Sequence, residues 1–217
     1  MTVFDEIIKG GTRIRAPKGQ TLLEKGEYFQ QVYILDSGVI KICETKDNNK
    51  TNILHILEPK ALVPFAFFSG PVLTQWRYVT HTECYVYSRN YDELRQQLEQ
   101  NGVLAVELSS WFSLQVHELL IKLSAFGKST TQEKIIATLK FLATHHTNMK
   151  DKNWGQVRFP INYQIISDMA GVTRESVSMN MSSLEKEKII RRSNSSSLEI
   201  NAKKLYRLYN SDSVETS

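Results

Sequence analysis

The sequence predicts an α+β chain: an N-terminal antiparallel β-roll of the jelly-roll kind, a long middle helix, and a C-terminal winged helix-turn-helix. Three observations carry that prediction. From about Thr12 to Arg89 the chain runs in short alternating or β-branched segments broken by turn residues. From about Asn90 to His146 the pattern becomes helical, with few interruptions beyond Gly102 and Gly127. From Ser129 to about Tyr209 the order reads helix, strand, helix, turn, helix, hairpin. The expected domains are residues 1–100 for the roll, 101–127 for the long helix and 128–217 for the winged helix-turn-helix.

In the roll, "TLLEKG", "QVYILDSGVIKICE", "TNILHIL" and "WRYVTHTECYVYS" read as strands. Turn signals fall at Pro17 to Gly19, Lys25 and Gly26, Asp36 to Gly38, Asp47 to Asn49, and Ser69 to Pro71. That spacing suits a barrel or roll better than βαβ units. The segment carrying Leu62, Val63, Pro64, Phe65, Phe67, Phe68 and Trp76 is strongly apolar, and reads either as the core of the roll or as a pocket for an apolar ligand.

Between Val103 and Phe126 one helical face carries Leu104, Leu108, Trp111 and Gln115, and a second carries Val106, Val116, Leu120 and Leu123. A helix apolar on two faces must bury both. One face packs on the roll; the other meets a second copy of the helix in a symmetric, coiled-coil-like dimer, or lies inside a monomer.

The third region opens with "STTQEKIIATLKFLATHH", where a Ser/Thr cap precedes Glu133. After the polar loop "TNMKDKNWGQ" come a short strand "VRFPI", two helices in "NYQIISDMAGVTRESVSMNMSSLEKEKII", a turn "RRSNSSS" and a closing strand "LEINA". Asn162 is placed to cap the first of the two helices and Thr173 the second, with Gly171 at positive φ between them and Val172 filling the angle. Val177, Met181 and Leu184 form a buried stripe. Thr173, Arg174, Glu175 and Ser178 are left on the exposed first turn, the part of such a helix that meets base edges in the major groove. An Arg there donates two hydrogen bonds to guanine, and a Glu accepts from the amine of cytosine. Lys186, Arg191 and Arg192, with Lys188, Lys203 and Lys204, surround this helix and the wing, as phosphate contacts or as solvated surface charge.

Composition removes other classes. The 217 residues are 41% hydrophobic and 23% charged with net charge +4, ordinary for a folded chain and compatible with an anionic partner. No apolar run approaches the roughly 18 residues needed to span a bilayer, and the first residues lack a secretory h-region, so no membrane partner and a cytoplasmic location are expected. Cys43 and Cys84 make no CxxC or Cys/His cluster, so no metal and no cofactor is expected. Both lie on roll strands, either as a redox pair, which needs Cα atoms within about 7 Å, or as buried inert thiols. His145 and His146 are adjacent and cannot share a helix face; His55 and His81 are lone strand histidines, as ligands or as structural residues. No Ser/His/Asp order, paired carboxylates or phosphate-binding glycine loop stands out, so no enzyme is expected.

The stretch "ISDMAGVTRESVSMNMSSLEKEKII", with the β-rich segment and long helix before it, resembles the Crp/Fnr family of bacterial transcription regulators. Gly171, Thr173, Arg174, Glu175, Ser176, Val177, Ser178, Leu184, Glu185 and Ile190 match the family's turn and reading helix, and "KGQTLLEKGEYFQQVYILDSGVIKI" resembles the start of its roll. The resemblance covers roughly residues 10 to 205. It implies a sensor roll, a dimerisation helix and a DNA-binding domain that docks as a homodimer on a palindromic operator in double-stranded DNA, with RNA polymerase as a further partner. Its effector is unknown: activity is set by a ligand, by thiol redox state, or needs neither. A sensor or scaffold of the same fold that binds protein instead of an operator is the alternative. The chain departs from the family at Met179, where an Arg is usual, and at Asn180, a slot usually apolar. The family's cyclic-nucleotide cradle, a Gly-Glu pair followed by Arg-Ser/Thr-Ala, is missing from "LEPKALVPFAFFSGPVLTQWRYVTHTE", and no cysteine precedes Cys43 to hold an Fnr-type cluster.

Overall fold

A computed structural model describes residues 3–45, 51–70, 73–127 and 130–211. The turn at Asp47, Asn48 and Asn49, together with Pro71, Lys128 and Ser129, lies outside the described residues. The chain divides into two compact units, Met1–His117 and Glu118–Ser217.

The first unit begins with a short helix α1 (Val3–Ile7), which alternation in the sequence did not signal, followed by β1 (Thr12–Ala16), β2 (Thr21–Leu23), β3 (Gln31–Ser37), β4 (Ile40–Thr45), β5 (Thr51–Leu57), β6 (Leu62–Val63), β7 (Arg77–Thr80) and β8 (Cys84–Asn90). They form two antiparallel four-stranded sheets, β1-β8-β3-β6 and β2-β7-β4-β5. The alternation read from the sequence is the physical cause. In β3, Val32 and Ile34 are buried and Tyr33 half-buried; in β8, Cys84 and Val86 are buried and Tyr85 half-buried. Gly38 closes the β3–β4 turn at φ 95°, and a Cβ there would stand 2.7 Å from Cys84 Sγ, so only glycine fits.

Leu62, Val63 and Phe67 sit in the same core as Ile34, Ile40, Tyr78 and Val86, which places the apolar segment as core. Phe65 packs partly against that core, and Trp76 is 39% exposed. The side chain of Phe68 lies outside the described residues.

Asn90 ends the roll and caps α2 (Tyr91–Gln100), its side chain accepting from the amides of Asp92 and Glu93. The long helix α3 (Gly102–Phe126) follows. Its two faces separate as the periodicity predicts. Leu104 and Leu108 are buried in the roll core, Trp111 packs against it, and Gln115 Oε1 lies 3.3 Å from Nε2 of the buried His55. The other face stands open: Val106 is 66% exposed, Val116 54%, Leu120 58% and Leu123 65%. Gly127 follows the last helical residue, its amide still donating to Leu123 O at 3.3 Å.

The second unit holds the end of α3 and then α4 (Thr131–His145), β9 (Thr147–Met149), β10 (Trp154–Val157), α5 (Tyr163–Ala170), α6 (Arg174–Lys186), β11 (Ile190–Arg191), β12 (Glu199–Asn201) and α7 (Ala202–Ser211). The expected cap of α4 is a full capping box: Thr130 accepts from Glu133 N, and the Glu133 carboxylate accepts from Thr130 N at 2.9 Å. The strand expected at "VRFPI" instead occupies Trp154–Val157, and the loop before it is a β-hairpin. Two causes act. Asp151 turns the chain by accepting from the amides of Asn153 (2.8 Å) and Trp154 (3.0 Å). Arg158 makes the last rung with the β9 side, its amide donating to His146 O at 2.9 Å, and two residues on Pro160 has no amide to donate. The sheet is ordered β11-β12-β10-β9. Helix α7, unforeseen in the sequence reading, follows β12 directly and buries Leu205. Among the described residues no helix is long and apolar enough to cross a membrane.

Candidate nucleic-acid interface

Helices α5 and α6 are set by local chemistry. Asn162 Oδ1 accepts from Ile165 N at 3.0 Å, starting α5, and Gly171 ends it at φ 66°, ψ 32°, with its amide donating to Ser167 O at 2.9 Å. Ser167 Oγ donates to Val172 O at 2.8 Å, which locks the turn from inside, and Val172 is half-buried there. Thr173 Oγ1 then accepts from Ser176 N at 3.2 Å and starts α6. Val177, Met181 and Leu184 are buried, as are Ile165, Ile166, Met169 and Ala170 of α5 and Ile135, Ile136 and Leu139 of α4. Their burial fixes which side of α6 faces outward.

On that side Arg174 and Glu175 are exposed and Ser178 is half-exposed. Together with Tyr163 and Met179 they line an open depression of about 350 Å³. The sequence-predicted reading residues Arg174, Glu175 and Ser178 therefore meet on one surface. Thr173 adjoins them, but its oxygen is engaged by the cap and lies 2.9 Å from Ser176 Oγ. Asn180 is turned inward along the helix, its amide donating to Ser176 O at 2.8 Å.

The cations differ in freedom. Lys186, in the last turn of α6, is exposed. Arg192 stacks 4.5 Å above the ring of Tyr163 and donates to Ser195 O, so it stands beside the depression. Arg191 lies 4.2 Å above the ring of Trp154 and pairs with Glu199, which also receives Lys150. Tyr163, Trp154, Lys150 and Glu199 escaped sequence reasoning. Only the position of Tyr163, directly after the cap Asn162, hints at its place.

If Lys186 and Arg192 meet phosphates, replacing either by Ala removes two contacts from a two-fold complex. The slope of log affinity against log salt is then expected to fall by about 1.8, at about 0.9 per phosphate. Binding titrations at several salt concentrations check this, and Arg191→Ala, with its charge already opposed by Glu199, is expected to change the slope less.

Glu199 is buried, and its carboxyl is held below the ordinary carboxylate range chiefly by the hydrogen bond from Lys150, then by Arg191. A group depressed on folding stabilises above its unfolded pKa and loses that contribution as pH falls through the folded value. Glu199→Gln is therefore expected to cost about 1–2 kcal/mol near neutral pH. The difference from the parent chain, measured by thermal unfolding, should shrink on acidification below the usual carboxylate range.

Cys43 is on β4 and Cys84 on β8, strands of different sheets, and both are buried. Burial raises the pKa of Cys84, whose Sγ donates to Val39 O at 3.3 Å. His81 is buried in the roll, and Nδ1 of His145 stands 3.4 Å from Oε1 of Glu118. Among the described residues no group of three His, Cys, Asp or Glu is placed to hold a metal ion.

Comparison with known proteins agrees with this geometry. Residues 13–101 match the model of the cyclic nucleotide-binding domain, and residues 133–208 that of the Crp-like helix-turn-helix domain. The transcriptional activator protein Anr of Pseudomonas protegens is 26% identical over 193 residues, covering 88% of this chain and 76% of that protein. FnrA of Stutzerimonas stutzeri, also named a transcriptional activator, is 24% identical over 180 residues, covering 82% of this chain and 71% of that protein. The solved structure of FixK2 from Bradyrhizobium japonicum superposes with a TM-score of 0.78 at 18% identity, over 91% of this chain and 96% of that one, a likeness of fold.

Proposed function

Because the chain belongs to the Crp/Fnr family of transcription regulators, we propose that it acts as a homodimer on a palindromic operator, reading each half-site through Arg174, Glu175 and Ser178. It is a regulator with a helix-turn-helix DNA-binding domain, and not an enzyme. The observation that carries the proposal is the capped turn that leaves Arg174 and Glu175 exposed on the first turn of α6 while Val177, Met181 and Leu184 are buried. That is the orientation in which a helix N-terminus enters the major groove. Lys186 and Arg192 supply phosphate contacts, and action on an operator fits a cytoplasmic location.

The open face of α3 supports the dimer. Val106, Val116, Leu120 and Leu123 fall on the a and d positions of a heptad whose other two places are Ser109 and Ser113. Both serine hydroxyls donate to helix carbonyls, Ser109 to Ala105 O at 2.8 Å and Ser113 to Ser109 O at 3.1 Å, so neither needs a partner across a seam. Residues 101–127 thus serve as the dimerisation helix, 1–100 as the sensor roll and 128–217 as the reading domain. In the roll, burial supports Cys43 and Cys84 as core thiols and leaves the signal to an effector of another kind, with contact to RNA polymerase following from the bound position.

Gel-shift titration of genomic fragments at low salt tests the reading. A fragment that holds the chain against excess unrelated DNA is expected; equal retention of every fragment would overturn operator recognition.

A further inference from the structure

We propose that Met179 recognises the 5-methyl group of a thymine in each half-site, an inference that rests on operator binding through α6. Met179 is 71% exposed, and it lines the same depression as Arg174, Glu175 and Ser178. With about 100° per residue, Met179 lies about 40° around the helix from Glu175, on the side away from the Val177, Met181 and Leu184 stripe. It is one turn further along, about 6 Å, which is less than two base-pair steps of about 3.4 Å. A helix that presents Glu175 to one base edge therefore presents Met179 to a neighbouring one.

The chemistry narrows the partner. A thioether has no hydrogen to donate and is a weak acceptor, so it discriminates poorly among the polar edges of guanine, adenine and cytosine. The major groove carries one apolar group, the thymine methyl, and a long unbranched side chain adapts to it. Asn180 does not take the place of a polar reader, because its amide is held by Ser176 O at 2.8 Å. The rest of the outward face is polar, with Glu175, Ser182 and Lys186 exposed, so Met179 is an isolated apolar contact on it.

The test uses the full chain and the operator it selects from a random pool. Each thymine of the half-sites is replaced in turn by uracil, which removes the methyl and leaves every hydrogen-bonding group. Burial of one methyl corresponds to about a fourfold change in affinity. One symmetry-related position is expected at which uracil weakens binding about fourfold per half-site, and Met179→Ala is expected to bind the thymine and uracil operators equally. Uracil without effect at every position, or a uracil effect that persists in Met179→Ala, overturns the proposal and leaves operator binding standing. A chain with no preferred sequence overturns both. An operator insensitive to uracil, together with a protein that Met179→Ala releases, would assign the exposed methionine to a protein contact instead.

Discussion

Replacing Arg174 by Ala is expected to lower affinity for the selected operator by at least about 30-fold while leaving the fold intact. A bidentate contact from an Arg to guanine contributes about 1–3 kcal/mol of discrimination, and a two-fold complex makes it twice. The total is about 2–6 kcal/mol, and every 1.4 kcal/mol is tenfold in affinity. Arg174 is exposed and outside the buried stripe, so thermal unfolding of the variant should match the parent. Binding to unrelated DNA should fall much less, because the phosphate contacts proposed for Lys186 and Arg192 are indifferent to sequence. Parallel titrations against operator and scrambled DNA separate the two effects: a variant that loses both equally would mean that Arg174 contributes only charge.

The double replacement Leu120→Glu and Leu123→Glu is expected to make the chain monomeric and to reduce operator affinity by about 100-fold or more. Both side chains are more than half exposed in the single chain, so the substitutions remove little from its own core. Across a two-fold seam they place four carboxylates where four leucines would meet, and burying a Leu is worth about 1.5–3 kcal/mol. A monomer forfeits the gain from joining two half-site contacts in one molecule, about 10²–10⁴. Sedimentation measures the first effect and operator titration the second. A double variant that stays dimeric would place the interface elsewhere.

What the sequence disclosed depended on how local the cause was. The cap at Asn162, the left-handed Gly171 and the cap at Thr173 each act within a few residues, so the turn and the exposed Arg174 and Glu175 were legible without any tertiary information. The two faces of α3 were legible for the same reason, since helical periodicity separates Leu104 and Leu108 from Leu120 and Leu123. The strand predicted at "VRFPI" moved because β10 takes its register from β9 and β12, which short-range alternation does not encode. Helix α1 is five residues long, too short for a periodic signal, and it is held by Arg89, which donates to Ile7 O at 2.8 Å from 82 residues away. The stacking of Arg192 on Tyr163 and the pairing of Lys150 with Glu199 are likewise long-range, and nothing in the spacing of those residues foretells them, whereas Arg191 meets Glu199 as its cross-strand neighbour in the β11–β12 hairpin.

Recognition by α6 and assembly through α3 meet in a single measurement, the selection of bound DNA from a random double-stranded pool by the full chain. Enrichment is expected of an inverted repeat whose half-site centres lie about 34 Å apart, one helical turn of DNA, with a fixed thymine beside the positions that depend on Arg174 and Glu175. Recovery of an unenriched pool, or of a single unrepeated half-site, would contradict it.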